Sequence, residues 1–264
     1  MHRTSFLILA LLVAAGGLGV PTPAVAQTDF YNLDKERPLR VEDAYTAKRW
    51  AFEIQASPFT LSQDRNGVLR YQPSLEFKPG LLPGLETSVG LALDRVRDGS
   101  ETQTSLGEVD LSALMNLWVE GATLPAAGIR VTAHLPTESD HGTSLEVKGI
   151  LTRTLAGPVR AHLNGAWVVG DDASEDWWTG VALDWVLPFH HTLLLVEGWM
   201  SEPEGADRRT LHSTVGARYQ VSPTVVLDVG AGRGWSGDRR QDWTLTLGVT
   251  HEFGVRSLMP GGPR

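Results

Sequence analysis

The 264-residue chain contains no cysteine. That excludes disulfides, thiolate metal sites, cysteine nucleophiles and a lipid-anchored N-terminal cysteine. Basic charge is in short supply: 23 Lys and Arg stand against 31 Asp and Glu, a net −8. The basic face that nucleic acid needs is missing, and no nucleic-acid partner is expected. Beyond the first twenty residues no apolar run approaches the roughly 20 residues of a spanning helix, and no segment holds a convincing 3.6-residue period. At 42% apolar the chain is too polar for a helical membrane bundle, and at 20% charged it is too apolar for a disordered one.

What is present starts with a leader. His2 and Arg3 precede a fifteen-residue apolar run at 6–20, FLILALLVAAGGLGV, and Ala24-Val25-Ala26 supplies an A-x-A cleavage pattern before Gln27. This reads as a secretory signal peptide over 1–26. Export leaves three destinations: the periplasm, the medium, or an outer-membrane barrel.

From Arg49 onward apolar residues alternate with polar or small ones, the period of a pleated strand. Leu69, Tyr71, Leu75 and Phe77 alternate with Arg70, Gln72, Ser74 and Glu76; Leu145, Val147, Gly149 and Leu151 alternate with Glu146, Lys148 and Ile150; Trp243, Leu245, Leu247 and Val249 close the series. Twelve such stretches of about ten to fourteen residues fit within 49–254. The connections alternate in kind. Segments 61–68, 94–104, 136–143, 171–176, 202–209 and 235–242 hold 15 acidic and 7 basic residues, whereas 79–84, 121–127, 155–158, 187–191 and 221–224 hold no Asp, Glu, Lys or Arg. A soluble sandwich has no reason to sort its turns by parity. A membrane barrel has one, because alternate connections lie on opposite sides of the bilayer, short turns in the periplasm and longer polar loops outside. All nine tryptophans fall near strand ends, as aromatic girdles require. The fold expected is an all-β, up-and-down antiparallel transmembrane barrel of about twelve strands.

With the apolar partners facing lipid, the alternate residues line the lumen: Arg49, Glu53, Arg70, Glu76, Glu108, Asp110, Arg130, Glu146, Lys148, Arg160, Asp184, Glu197, Arg218 and Asp228, with Lys78, Glu86, His134, His162, His212 and Glu252 in the same register. Such residues are either structural ion pairs or a selectivity lining. Residues 27–48 either hang in the periplasm as a tether or fold into the lumen as a plug, and 255–264 are a short Pro/Gly tail.

Catalytic and ligand motifs are thin. Gly230-Ala231-Gly232-Arg233-Gly234 lacks the strand–turn–helix context of a dinucleotide site, so its glycines are read as permitting close approach inside the barrel. Asp171, Asp172, Glu175 and Asp176 lack the spacing of a calcium loop and read as a solvated acidic loop bridged to lipopolysaccharide phosphates by divalent ions. His190 and His191 are adjacent and point apart. A barrel lipase carrying His-x-Ser on one strand face finds no such motif here; His212 and Ser213 are neighbours on opposite faces. No enzyme, cofactor or metal is expected.

Arg37-Pro38-Leu39, Glu42-Asp43-Ala44 and Trp50-Ala51-Phe52-Glu53 at the start, with Gly216-Ala217-Arg218-Tyr219, Val221-Ser222-Pro223, Leu227-Asp228-Val229-Gly230 and Asp242-Trp243-Thr244-Leu245 near the end, resemble a transporter-like bacterial outer-membrane family labelled for the "MetA-pathway of phenol degradation". The resemblance implies uptake of aromatic or other small hydrophobic compounds, and its motifs are structural, with no catalytic residues to transfer. Such barrels tend to end on an aromatic residue that helps the barrel-assembly machinery, and here the chain runs eleven residues past Phe253. The function expected is passive passage of small molecules across the outer membrane of a Gram-negative bacterium; the alternatives are a non-conducting surface barrel and a lipid-modifying enzyme.

Overall fold

A computed structural model describes residues 30–137, 142–170, 175–187, 190–203, 208–237 and 240–255. The leader over 1–26, most of the tail over 255–264 and the acidic cluster's Asp171 and Asp172 lie outside them. The described chain is all strand and connection: β1 (Ala51–Asp64), β2 (Leu69–Tyr71), β3 (Ser74–Pro79), β4 (Leu85–Asp98), β5 (Glu101–Trp118), β6 (Ala126–Leu135), β7 (Ser144–Ala156), β8 (Val159–Gly170), β9 (Glu175–Leu187), β10 (Thr192–Pro203), β11 (Thr210–Ser222), β12 (Val225–Ser236) and β13 (Gln241–Gly254).

From β4 to β13 each strand pairs antiparallel with its sequence neighbours. β2 and β3 are two halves of one stave, both lying between β1 and β4, broken around Pro73, whose ring carries no ladder donor. Twelve staves result, and β1 closes on β13 with Phe52 opposite Phe253 and Leu61 opposite Leu245. Closure leaves no unpaired edge, which a sheet in hydrocarbon requires.

Burial is inverted relative to a water-soluble protein. Along β7, Ser144, Glu146, Lys148, Ile150 and Thr152 are buried while Leu145, Val147 and Leu151 are exposed. The pattern recurs around the cylinder: Val89, Leu111, Val181, Val215 and Leu227 face outward, and Lys78, Arg130, Asp184, Arg218 and Asp228 face inward. A bilayer explains both halves, since lipid receives the apolar band and the lumen receives the charges.

Two details differ from the sequence reading. Segment 94–104, expected as a loop, is ladder: Asp94 pairs with Ser105 and the pairing runs on to Asp98 and Glu101. Only Gly99 and Ser100 turn, with Gly99 at φ 54°, a left-handed conformation that suits glycine. Nor do all the tryptophans lie on the outer surface. Trp118, Trp167, Trp185 and Trp235 do, but Trp178 is buried to 1% exposure inside, and Trp199 has the inward parity of Leu195 and Glu197. Neighbours on a strand point to opposite faces, so Trp177 and Trp178 could not both join a girdle.

Residues 30–48 carry no strand beyond an isolated bridge between Asp34 and Arg37. They run through the cylinder as an irregular strap, and its Leu33, Leu39, Val41 and Ala44 form the apolar packing inside, against Trp178, Ala182, Leu193, Leu195 and Val226 on one side and Leu114, Ala126 and Ile150 on the other.

Candidate functional site: the strapped lumen

A segment without secondary structure must find partners for its own N–H and C=O groups when buried. Here wall side chains supply them. The Glu197 carboxylate accepts the N–H groups of Arg40 and Val41, each at 2.9 Å. Asn164 clamps Glu42 from both sides: its Oδ1 accepts the N–H and its Nδ2 donates to the C=O, both at 2.9 Å. Thr152 Oγ1 accepts the Ala44 N–H at 3.0 Å, Asn116 Nδ2 donates to the Ala44 carbonyl at 2.7 Å, and Glu86 accepts the Ala47 N–H at 2.9 Å. Asp43 ties the two arms of the strap together, its carboxylate accepting the N–H groups of Leu33 and Tyr45 at 3.1 Å.

Charge pairing adds a second layer. Glu42 meets Arg130 at 2.8 Å and Lys148 at 2.7 Å. Arg130 also reaches Glu86 at 3.0 Å and Lys148 reaches Glu146 at 3.4 Å. Asp34 sits between Lys78 at 2.8 Å and Arg218 at 3.0 Å. Lys35 meets Asp110 at 3.2 Å, Arg37 binds Gln55 and approaches Glu76 at 3.8 Å, and Asp43 approaches Arg160, itself paired to Asp184, at 3.6 Å.

Burial sets the proton affinities of the strap, and the cations decide its sign. Burial alone would raise the Glu42 carboxyl, but Arg130 and Lys148 outweigh it and hold it below the usual range. Burial would likewise raise Asp34; Lys78, Arg218 and Arg37 carry it well below. At Asp43 burial prevails over Arg160 and the two amide bonds, and the carboxyl is pushed up to about 7.

Steric fit is the third layer. A Cβ at Gly230 would lie 2.8 Å from Pro38 Cβ, one at Gly216 2.7 Å from Pro38 Cγ, and one at Gly180 2.7 Å from Val41 Cγ2. The wall is stripped of side chains where the strap presses on it. The Arg40 guanidinium lies over two indoles, 4.3 Å from the ring centre of Trp178 and 4.6 Å from that of Trp199.

The strap gathers most of the residues expected to line the lumen. Glu76, Asp110, Arg130, Glu146, Lys148, Arg160, Asp184, Glu197 and Arg218 contact it directly or through one partner. Glu53 reaches it through Gln55, which Arg37 binds and whose Nε2 donates to Glu53 at 2.9 Å, and Asp228 is buried. Glu108 approaches His134, whose Nδ1 lies 2.7 Å from Asp110; these three place one ligand atom each within 4.8 Å of one another and could hold a cation. Arg49 and Arg70 stand apart: Arg49 is exposed ahead of β1, stacked 4.6 Å over Trp50, and Arg70 lies 3.7 Å from Asp94 in the projecting hairpin. Sequence reasoning missed the strap's own Asp34, Arg40, Glu42 and Asp43, and the wall's Asn116, Thr152, Asn164 and Trp178. The inward parity of Thr152, Asn164 and Trp178 was a usable signal; nothing local marks the strap.

His212 and Ser213 do point apart. His212 is buried in the lumen against Trp199, while Ser213 Oγ accepts the Trp235 indole N–H at 2.8 Å. Where the arms of the strap reach one mouth, Tyr31, Asn32, Tyr45, Thr46, Lys48 and Arg160 line a cleft of about 410 Å³.

No family model matches the chain, and no curated protein matches it. Solved structures do. An outer membrane channel from Pseudomonas putida F1 aligns with a TM-score of 0.63 at 14% identity, over 80% of this chain and 97% of that one. The KdgM porin aligns at 0.56 with 8% identity, over 77% and 99%, and the same porin in complex with disordered oligogalacturonate at 0.54 with 7% identity. The fold is that of outer-membrane β-barrels.

Proposed function

We propose that the chain is an outer-membrane channel for small solutes whose lumen is gated by its own N-terminal strap. The observation that carries this reading is the way the strap is held. It lies in a charged lumen enclosed by an apolar outer band, and side chains of the wall grip its backbone with hydrogen bonds and its side chains with ion pairs, where added β-pairing would have fixed it in a ladder. Each of those groups has water as a ready alternative, so release exchanges partners without breaking the sheet.

In this reading 1–26 directs export, the barrel-assembly machinery inserts the mature chain, the uncharged turns face the periplasm, and the acidic connections face outward toward lipopolysaccharide. Membership in the phenol-degradation outer-membrane family, and with it uptake of aromatic or hydrophobic compounds, belongs to this proposal as its finer form. Transport is passive: the barrel supplies a path, and the charged wall sets which solutes enter it.

The test is conductance of the full mature chain in planar bilayers, alongside Glu42→Ala/Asn164→Ala. The intact protein should dwell closed with brief openings, and the double variant should open far more often at the same unit conductance. Silence from both, with correctly folded barrel by heat-modifiable migration, would overturn the channel reading.

A further inference from the structure

The charge of the strap's Arg40 is met by two aromatic faces. Its guanidinium lies 4.3 and 4.6 Å from the centres of Trp178 and Trp199. Both rings come from lumen-facing positions of adjacent strands, β9 and β10, and both would be out of place on the lipid-facing girdle. Around them are groups of matching character. The Trp178 indole N–H donates to Glu146 at 2.8 Å, which fixes the ring. Glu197 lies against the Arg40 backbone at 2.9 Å. His212 stacks on Trp199 at 5.0 Å and is 5% exposed, and neither of its ring nitrogens meets a hydrogen-bond partner among the described residues. One cation of the wall, Lys148, stands 5.1 Å from the Trp178 ring, held by Glu42 and Glu146.

We infer that Trp178 and Trp199, with Glu146, Glu197 and His212 beside them, form a recognition cage for organic cations in the lumen, and that Arg40 occupies this cage as the strap's built-in imitation of such a solute. The inference deepens the channel reading and rests on it for the solute's role. The chemistry fits the class. Indole faces carry negative quadrupole and attract weakly hydrated, delocalised or alkylated cations. Two carboxylates nearby favour positive charge over neutral solutes, and the imidazole of His212, with no hydrogen-bond partner on either ring nitrogen among the described residues, offers an acceptor to an N–H-bearing cation. A solute bearing guanidinium, quaternary ammonium or protonated aromatic amine would therefore compete with Arg40 and favour the released strap.

The experiment empties the cage without removing the strap. Full mature Arg40→Ala, in detergent, is titrated calorimetrically with methylguanidinium, and with its neutral analogue methylurea, at constant ionic strength. Methylguanidinium should bind the variant at least about tenfold more tightly than the intact protein, whose cage is filled, and methylurea should not bind. Adding Trp178→Leu and Trp199→Leu should remove the difference. If Arg40→Ala does not fold, Arg40→Gln keeps the chain length and serves the same titration. Equal binding of methylurea, or binding that survives loss of both indoles, would overturn the cage. The channel reading fails separately: cation binding without conductance in bilayers supports the cage and removes the channel, and conductance without cation binding does the reverse.

Discussion

Removal of the Glu42 carboxylate should release the strap while leaving the barrel standing. The side chain is 1% exposed and is shared by Arg130 at 2.8 Å and Lys148 at 2.7 Å. Breaking a buried pair costs about 3–5 kcal/mol because a charge is left uncompensated. The lower end applies here, since Arg130 keeps Glu86 at 3.0 Å and Lys148 keeps Glu146 at 3.4 Å. The loss falls on the docked strap, because in the released state both cations meet water in an emptied lumen. At about 1.4 kcal/mol per decade, a loss of about 3 kcal/mol raises the released population roughly a hundredfold. Native-state amide exchange reads this directly. In Glu42→Ala the amides of Arg40, Val41, Ala44 and Ala47 should exchange about a hundredfold faster, while the ladder amides of β7 and β8 keep their rates. Glu42→Gln, which retains an acceptor, should fall between. Unchanged exchange at Val41 and Ala44 in Glu42→Ala would refute the claim that this ion cluster latches the strap, and equal acceleration across the ladder would show that it holds the wall instead.

Other consequences test other contacts. Gly230→Ala places a methyl 2.8 Å from Pro38 Cβ and 2.7 Å from Thr246 Oγ1 of the wall; the hydroxyl can turn aside while the proline ring cannot, so channel open probability should rise several-fold, and no change would mean Pro38 does not need that clearance. Asn164→Ala removes both bonds to the Glu42 backbone and, at about 1 kcal/mol for each, should speed exchange at Glu42 about thirtyfold; exchange equal to that of the intact protein would rule out the clamp. Asp43 gives a pH dependence. Its docked carboxyl is pushed up to about 7, above the ordinary 3.8, so docking binds a proton that the released strap gives up. Its contribution is full below the ordinary value and is lost as pH rises through about 7, by on the order of 4 kcal/mol before relaxation. The groups facing it are Arg160 and Asp34 and the amides of Leu33 and Tyr45. Open probability should rise from pH 5 to pH 8, and Asp43→Asn should flatten that rise; an unaltered slope in the variant would assign it elsewhere.

The contrast between wall and strap shows which physics a sequence writes down. The wall was legible because a bilayer imposes one rule on every stave. Each second residue must be apolar, so Leu145, Val147 and Leu151 announce their face and, by parity, Glu146, Lys148 and Thr152 announce theirs. The same parity, applied strictly, would have turned Trp178 inward, since its neighbour Trp177 could not share its side. Charge sorting of the connections was legible for an equally general reason. The ladder through 94–104 was hidden because strands beyond the bilayer are released from that rule and take polar residues on both faces, as Arg95, Arg97, Thr102 and Gln103 do.

The strap was hidden for a different cause. Its conformation is set by partners from β1 to β12, each many residues away, and an irregular backbone leaves no period. What it does leave is an imbalance in the wall. The Glu197 carboxylate accepts two backbone N–H groups of the strap. Asn164 points a donor and an acceptor into a lumen where no strand of the wall needs them. A barrel built only to stand would pair its inward groups with one another. Inward groups whose complement is a peptide backbone imply a chain inside, and in the proposed gated channel water takes over the same bonds when that chain leaves.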